Sequence, residues 1–347
     1  MTDRIDVHHH LIPPAWREEA ERVGLSTVAG APLPDWSPEA SLAVMDANGI
    51  GTAILSLSAP GIHLGDRARA RDVARASNEY AADLRVRHPG RFGSFAVLPM
   101  PNAEDSAREA EYALDTLGAD GVVLLGSTDG VFLGDPRLDE LMAELDRRDA
   151  VVFVHPNLHA TSEALGLDLP GFFVEFLCDT TRAAANLIFS GRLHRYPRIR
   201  FILAHAGGFL PYITWRLSLA NEIPALAAKV PGGVLAAVRS FYFDTALSPA
   251  PWVLRLLKDL VGIDHVLFGS DFPFAPAIAV GMECKTLTTA DAIDASDRAA
   301  IDRANAVALF GGDRWSGQAG PPHGVADRLR RAAQGPIVAV ADRLRDR

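Results

Sequence analysis

The stretch RIDVHHH, residues 4–10, decides how the rest of the chain reads. It is a short strand-like run, Ile and Val alternating with polar residues, that ends in three histidines with no apolar leader before it. Side chains two apart on a strand share a face, so His8 and His10 point into one cavity and His9 points away. A strand that ends by presenting two imidazoles together predicts a site at the carboxyl end of a sheet.

Working outward, the same pattern returns: buried-looking runs rich in Val, Ile, Leu and Phe at Arg4–His10, Ala53–Ser58, Phe92–Leu98, Asp120–Leu125, Val151–His155, Arg200–His205, Ser240–Thr245 and His265–Ser270. Continuous apolar runs of this length suit strands buried on both faces. Helical patterns lie between them, as at Arg69–Arg87, Glu104–Leu117, Asp139–Arg148 and Thr181–Phe189. Strand–helix alternation predicts a parallel sheet, and eight repeats predict closure into an α/β fold of the (β/α)₈ TIM-barrel type. The rival is an open doubly wound sheet, but no Gly-rich nucleotide turn follows the first strand. The barrel is expected over residues 1–312, with 313–347 as an appendage, partly flexible, whose Arg-rich end, Val325–Arg347, is weakly helical. Two insertions, Leu11–Pro34 and Asn157–Gly171, follow strand ends and are expected over the face where barrel sites form.

Composition narrows the function classes. A net charge of −9 in 347 residues argues against a nucleic-acid partner, which needs a basic face. No apolar run is long enough to cross a bilayer, so no membrane partner is expected. Two cysteines, Cys178 and Cys284, are too few for a disulfide framework, which suits the cytoplasm.

Five residues carry the chemistry: His8, His10, His155, His205 and Asp271, each at or just beyond the carboxyl end of an expected strand. One histidine so placed is ordinarily structural, but four of the eleven, with a carboxylate, at converging strand ends predict a metal centre. Imidazole and carboxylate donors suit a borderline cation such as Zn²⁺, and a near-neutral imidazole beside it suits proton transfer. His88, His194 and His265 precede or begin strands and belong to the opposite face; His63 and His159 lie in loops on the site's side. The only lysines are Lys229, Lys258 and Lys285, none near the exit of the fourth strand, Leu124-Leu125-Gly126-Ser127. A bridging lysine for a second metal is therefore lacking, and one ion per chain is expected.

The segments IDVHHHLIPP (5–14), VFVHP (152–156), FILAHAGGFLPY (201–212) and HVLFGSDFPF (265–274) resemble the amidohydrolase-2 family, which includes aminocarboxymuconate semialdehyde and γ-resorcylate decarboxylases. The wording EFLCDTTRAAANLIFSGRLHRYP (175–197) is most similar to its 6-methylsalicylate decarboxylase branch. The resemblance implies metal ligands at His8, His10, His155 and Asp271, with His205 and Asp271 as the catalytic pair. It implies Arg216 as a residue that approaches substrate or a neighbouring subunit, and Phe274 as a wall against a planar ring. Phenolic-acid members often carry Glu where His8 stands and use manganese, so the HxH form implies Zn²⁺, with Mn²⁺ as the alternative. The implied reaction is non-oxidative decarboxylation of a small aromatic, salicylate-like acid, 6-methylsalicylate among the candidates, in a homodimer or higher homo-oligomer. The alternative is hydrolysis of a lactone, ester or amide by an activated water on the same donors.

Overall fold

A computed structural model describes residues 3–312 together with Arg314 and Trp315. The rest of the expected appendage lies outside the described residues. Eight parallel strands form one sheet in sequence order: β1 (Arg4–His10), β2 (Ile50–Ser56), β3 (Phe92–Val97), β4 (Gly121–Leu125), β5 (Val151–His155), β6 (Arg200–Leu203), β7 (Tyr242–Asp244) and β8 (Val266–Leu267). The segment after β8 returns to β1: Val7 N donates to Phe268 O, Asp271 N to His8 O and His10 N to Phe272 O, at 2.7–3.0 Å. These bonds close the barrel, as the alternation of strands and helices predicts.

The core has two layers. Ile5, Ile54, Phe95, Phe153 and Ile202 fill the barrel, while Leu55, Leu124, Val154 and Leu203 pack outward against the helices. Alternate strand residues thus serve opposite layers, which is why these strands read as unbroken apolar runs. The principal helices are α1 (Pro14–Arg22), α2 (Pro38–Asn48), α3 (Arg67–Arg87), α4 (Ala103–Glu111), α5 (Asp139–Arg147), α6 (Glu175–Phe189), α7 (Leu210–Ser218), α8 (Pro251–Val261) and α9 (Ala277–Thr289). Local chemistry sets their ends. The Ser37 side chain accepts from Ala40 N at the start of α2, Pro38 opens its first turn, and Gly49 ends it at φ 65°. No described helix is long and apolar enough to cross a membrane.

Several sequence expectations shift: strand 2 runs Ile50–Ser56 in place of Ala53–Ser58, and strand 7 narrows to Tyr242–Asp244. Strand 6 stops at Leu203, because His205 and Ala206 take left-handed backbone at φ 54° and 56°. Strand 8 shortens to Val266–Leu267, and His265 belongs to a 3₁₀ turn before it. The helix expected from Thr181 begins at Glu175. Strand 1 is also not a regular strand. Asp6 pairs with Ala53 and His9 with Leu55, so β1 carries one extra residue there. This bulge reverses the alternation locally: Asp6 faces outward with His9, whose Nδ1 it meets at 2.9 Å, while His8 and His10 still share the inner face. His9 Nε2 reaches Ser41 Oγ on α2 at 2.9 Å.

Both insertions rise over the barrel's carboxyl face and meet there, Phe172 N donating to Ala29 O at 3.3 Å. Val28, Leu158, Phe172 and Phe176 form a small apolar cluster with Ala59 and Phe274.

Candidate metal centre

His8, His10, His155 and Asp271 converge at the barrel mouth, each buried, with one donor atom apiece inside a 4.8 Å span. What the Nδ1 atoms face decides what the Nε2 atoms can do. His8 Nδ1 lies 2.8 Å from Asp244 Oδ2, His10 Nδ1 lies 3.1 Å from Ser56 O, and His155 Nδ1 lies 2.8 Å from Pro156 O. Carbonyl and carboxylate oxygens only accept, so each neutral ring keeps its proton on Nδ1 and turns a bare Nε2 lone pair inward. There His8 Nε2 and His10 Nε2 stand 3.1 Å apart, and Asp271 Oδ1 lies 3.2 and 2.9 Å from them. Lone pairs and a carboxylate so gathered repel one another unless a cation lies among them. The donor set therefore fits a divalent metal, and the outer partners fix the tautomers as metal-ligand histidines require.

The electrostatics of the bare protein agree. Burial opposes a charge on His8, yet Asp244 and Asp271 override it and carry its pKa up to about 10. His155 is held well below the ordinary imidazole value by burial and by His10 and His8. Burial works against the Asp271 carboxylate, but His8, His10 and His205 keep its pKa well below the usual range. One positive charge is drawn to the spot where a cation fits.

The remaining expected site residues divide. His205 stands beside the donor set with Nε2 3.5 Å from Asp271 Oδ2, and its buried Nδ1 has no hydrogen-bond partner among the described residues. Its backbone N donates to Asp244 Oδ1 at 2.9 Å. His205 and Asp271, at φ 54° and 57°, both occupy the left-handed region that non-glycine residues avoid. Phe274 meets the His10 ring edge-on at 5.5 Å. Arg216 is exposed on α7 and shares no hydrogen bond or ion pair with the other site residues. His63 pairs with Asp129 at 3.0 Å, and His159 stacks on Phe132 in its own exposed loop.

Sequence reasoning missed three contributors. Asp244 ends β7 and grips both His8 and the His205 backbone; the strand-end rule that found the histidines reaches it too. Phe176, in the first turn of α6, lies 5.9 Å from the His155 ring and belongs to the same apolar cluster as Phe274. Asp179 takes Ser127 Oγ at 2.7 Å and Asn157 N at 2.8 Å, tying the exits of β4 and β5 to α6. That bond gives the CDT wording near residue 179 a structural reason.

Comparison with known proteins places this architecture. The amidohydrolase family model matches residues 5–312. The chain belongs to the amidohydrolase family. Within it, the chain is 39% identical over 322 residues to the decarboxylase yanB of Aspergillus niger, covering 89% of this chain and 87% of that protein. It is 39% identical over 287 residues to the 6-methylsalicylic acid decarboxylase of Penicillium expansum, covering 80% and 87%. Among solved structures it resembles a dihydroxybenzoic acid decarboxylase from Polaromonas, with bound manganese and 2-nitroresorcinol, at 26% identity and TM-score 0.77, covering 90% and 97%.

Proposed function

We propose that this amidohydrolase is a non-oxidative decarboxylase of small aromatic acids of the salicylate type, 6-methylsalicylate among them, working with one divalent metal. The observation that carries the reading is the convergence of three Nε2 lone pairs and the Asp271 carboxylate beside His205, with the rings of Phe274 and Phe176 against His10 and His155. The decarboxylase relatives support it.

In this reading His8, His10, His155 and Asp271 hold the ion, Zn²⁺ first and Mn²⁺ second; the manganese of the Polaromonas structure keeps the second in view. The ion supplies fixed positive charge that orients the carboxylate and ortho hydroxyl of the acid. Phe274 and Phe176 hold the ring flat. Protonation of the ring carbon that bears the carboxylate lets the C–C bonding pair return to the ring as CO₂ leaves. His205 and Asp271 lie 3.5 Å apart beside the donor set, and in this reading the proton reaches that carbon from this pair.

The exposed aromatics Tyr212 and Trp215 on α7 and Trp252 on α8, each more than 70% accessible, support a homodimer or higher homo-oligomer through that face, bringing Arg216 to a neighbouring subunit. A fully active monomer in light scattering rejects this part. The two free thiols fit a cytoplasmic enzyme.

The deciding experiment offers the metal-loaded protein a panel of hydroxybenzoic acids beside lactones, esters and amides. Stoichiometric CO₂ and phenol from the acids are expected; turnover of the lactones, esters or amides alone sinks the reading.

A further inference from the structure

The barrel mouth is chemically lopsided. On the β6–β8 side stand His205, Asp244 and Asp271, which make contact with one another or with His8. On the β2–β4 side the walls are hydrocarbon: Leu57 and Ile62 beyond β2, Val97 and Met100 at β3, Val123 and Leu125 on β4 enclose a pocket of about 20 Å³. That is room for roughly one water- or methyl-sized group. Two polar residues touch the pocket. His63 is engaged by Asp129 at 3.0 Å, while the buried Thr128 hydroxyl has no hydrogen-bond partner among the described residues.

Two of the pocket's walls neighbour the metal donors, one across the sheet and one along the chain. Leu125 lies in register with His155 across the β4–β5 ladder. Leu57 directly follows Ser56, whose carbonyl faces His10 Nδ1 at 3.1 Å. A ring held by its carboxylate near these donors has two flanking positions. Its ortho hydroxyl belongs on the polar β6–β8 side, which turns the other flanking carbon toward the hydrocarbon wall.

We propose that this pocket is a subsite for a small alkyl group flanking the substrate's carboxylate, with Leu57, Val123 and Leu125 selecting alkylated over doubly hydroxylated acids. The proposal rests on the aromatic-acid reading and names its substrate class more closely. A hydroxyl placed there exchanges water for a wall whose polar groups are the Thr128 hydroxyl and a His63 ring already engaged by Asp129, whereas a methyl loses nothing polar and sheds apolar surface from water.

The test compares 6-methylsalicylate, 6-ethylsalicylate, salicylate and 2,6-dihydroxybenzoate by kcat/KM. In parallel, calorimetry follows binding of the matching phenols, 3-methylphenol, phenol and resorcinol. The methyl acid is expected to exceed the dihydroxy acid by about tenfold or more, the scale of one methylene-sized discrimination, and 3-methylphenol to bind more tightly than resorcinol. Val123→Ala, with Leu125→Ala as a second variant should the first fold poorly, is expected to raise the ethyl-to-methyl ratio about tenfold. Preference for the dihydroxy acid that Thr128→Val abolishes overturns the proposal, because the pocket then reads a hydroxyl. Unchanged ratios in both enlarged variants overturn it as well. If no acid loses CO₂, the decarboxylase reading falls by itself, and the phenol-binding order with its response to Val123→Ala still decides the subsite.

Discussion

At the scale of single residues, the site separates groups that hold a cation from groups that move a proton. His155→Ala removes one of four donors and leaves the others repelling, so the protein should lose most of its metal and with it activity. His205→Ala leaves the four donors whole; metal content should stay near one per chain while turnover falls by about 10²–10⁴-fold, the usual loss with a positioned acid–base group. Elemental analysis of both variants checks the pair, and equal metal loss in each would place His205 among the ligands. Asp244 acts at one remove. Its carboxylate accepts from His8 Nδ1, which orients the ring and makes Nε2 a better metal donor, and Asp244→Asn should weaken metal binding by about 10–100-fold with the fold intact. A metal titration with unchanged affinity would reduce Asp244 to a backbone anchor for His205.

At the scale of elements, the segment after β8 does the assembling. Gly269, Ser270 and Asp271 follow a strand of only two residues; the last two bond through backbone and side chain to β1 instead of prolonging β8, while Gly269 N donates to Thr245 Oγ1. Ser270 Oγ and N both donate to Asp6, at 2.5 and 3.0 Å, so the carboxylate turned outward by the β1 bulge becomes the clasp between first and last strands. Close approach explains the glycine. A Cβ at position 269 would stand 2.8 Å from His8 Cβ and 3.1 Å from Asp244 Cβ, two atoms near the backbone that cannot swing aside. Gly269→Ala should therefore destabilise the protein by about 1–3 kcal/mol, the range for overpacking. It should also weaken metal binding, because His8 must shift. Denaturant unfolding beside a metal titration tests both parts, and a variant that loses stability yet binds metal normally would show that His8 does not move.

At the scale of the whole molecule, closing the barrel traps charged groups whose titration couples to folding. Glu283 on α9 is buried with no ion-pair partner among the described residues. Burial, reinforced by Asp271 and Asp6, pushes its carboxyl up to about 9 from an ordinary 4.5. Between those values the folded chain keeps a proton that the unfolded chain has released. Stability attributable to this group is thus greatest below pH 4.5 and declines as pH rises toward 9. Glu283→Gln removes the titration, so its melting temperature relative to the parent should climb steadily from pH 5 to pH 9. A difference flat across that range would mean Glu283 ionises normally in the folded state.

What the sequence determined by itself is whatever depends on local periodicity. Eight apolar runs separated by helical patterns specify a parallel barrel, because burial on both faces and 3.6-residue repeats are written into neighbouring residues. The strand-end rule then collects His8, His10, His155, His205 and Asp271, since a barrel has one rim to which all its strands lead. Only the tertiary structure decided the rest. The bulge at Asp6–His9 depends on how β1 is paired, the left-handed turns at His205 and Asp271 on bonds to other strands, and the tautomers on acceptors as remote as Asp244. Phe176 escaped notice because the first turn of α6 is set by packing over the mouth, not by a periodic signal of its own. Each is a contact between residues distant in the chain, whose geometry exists only once the barrel has closed.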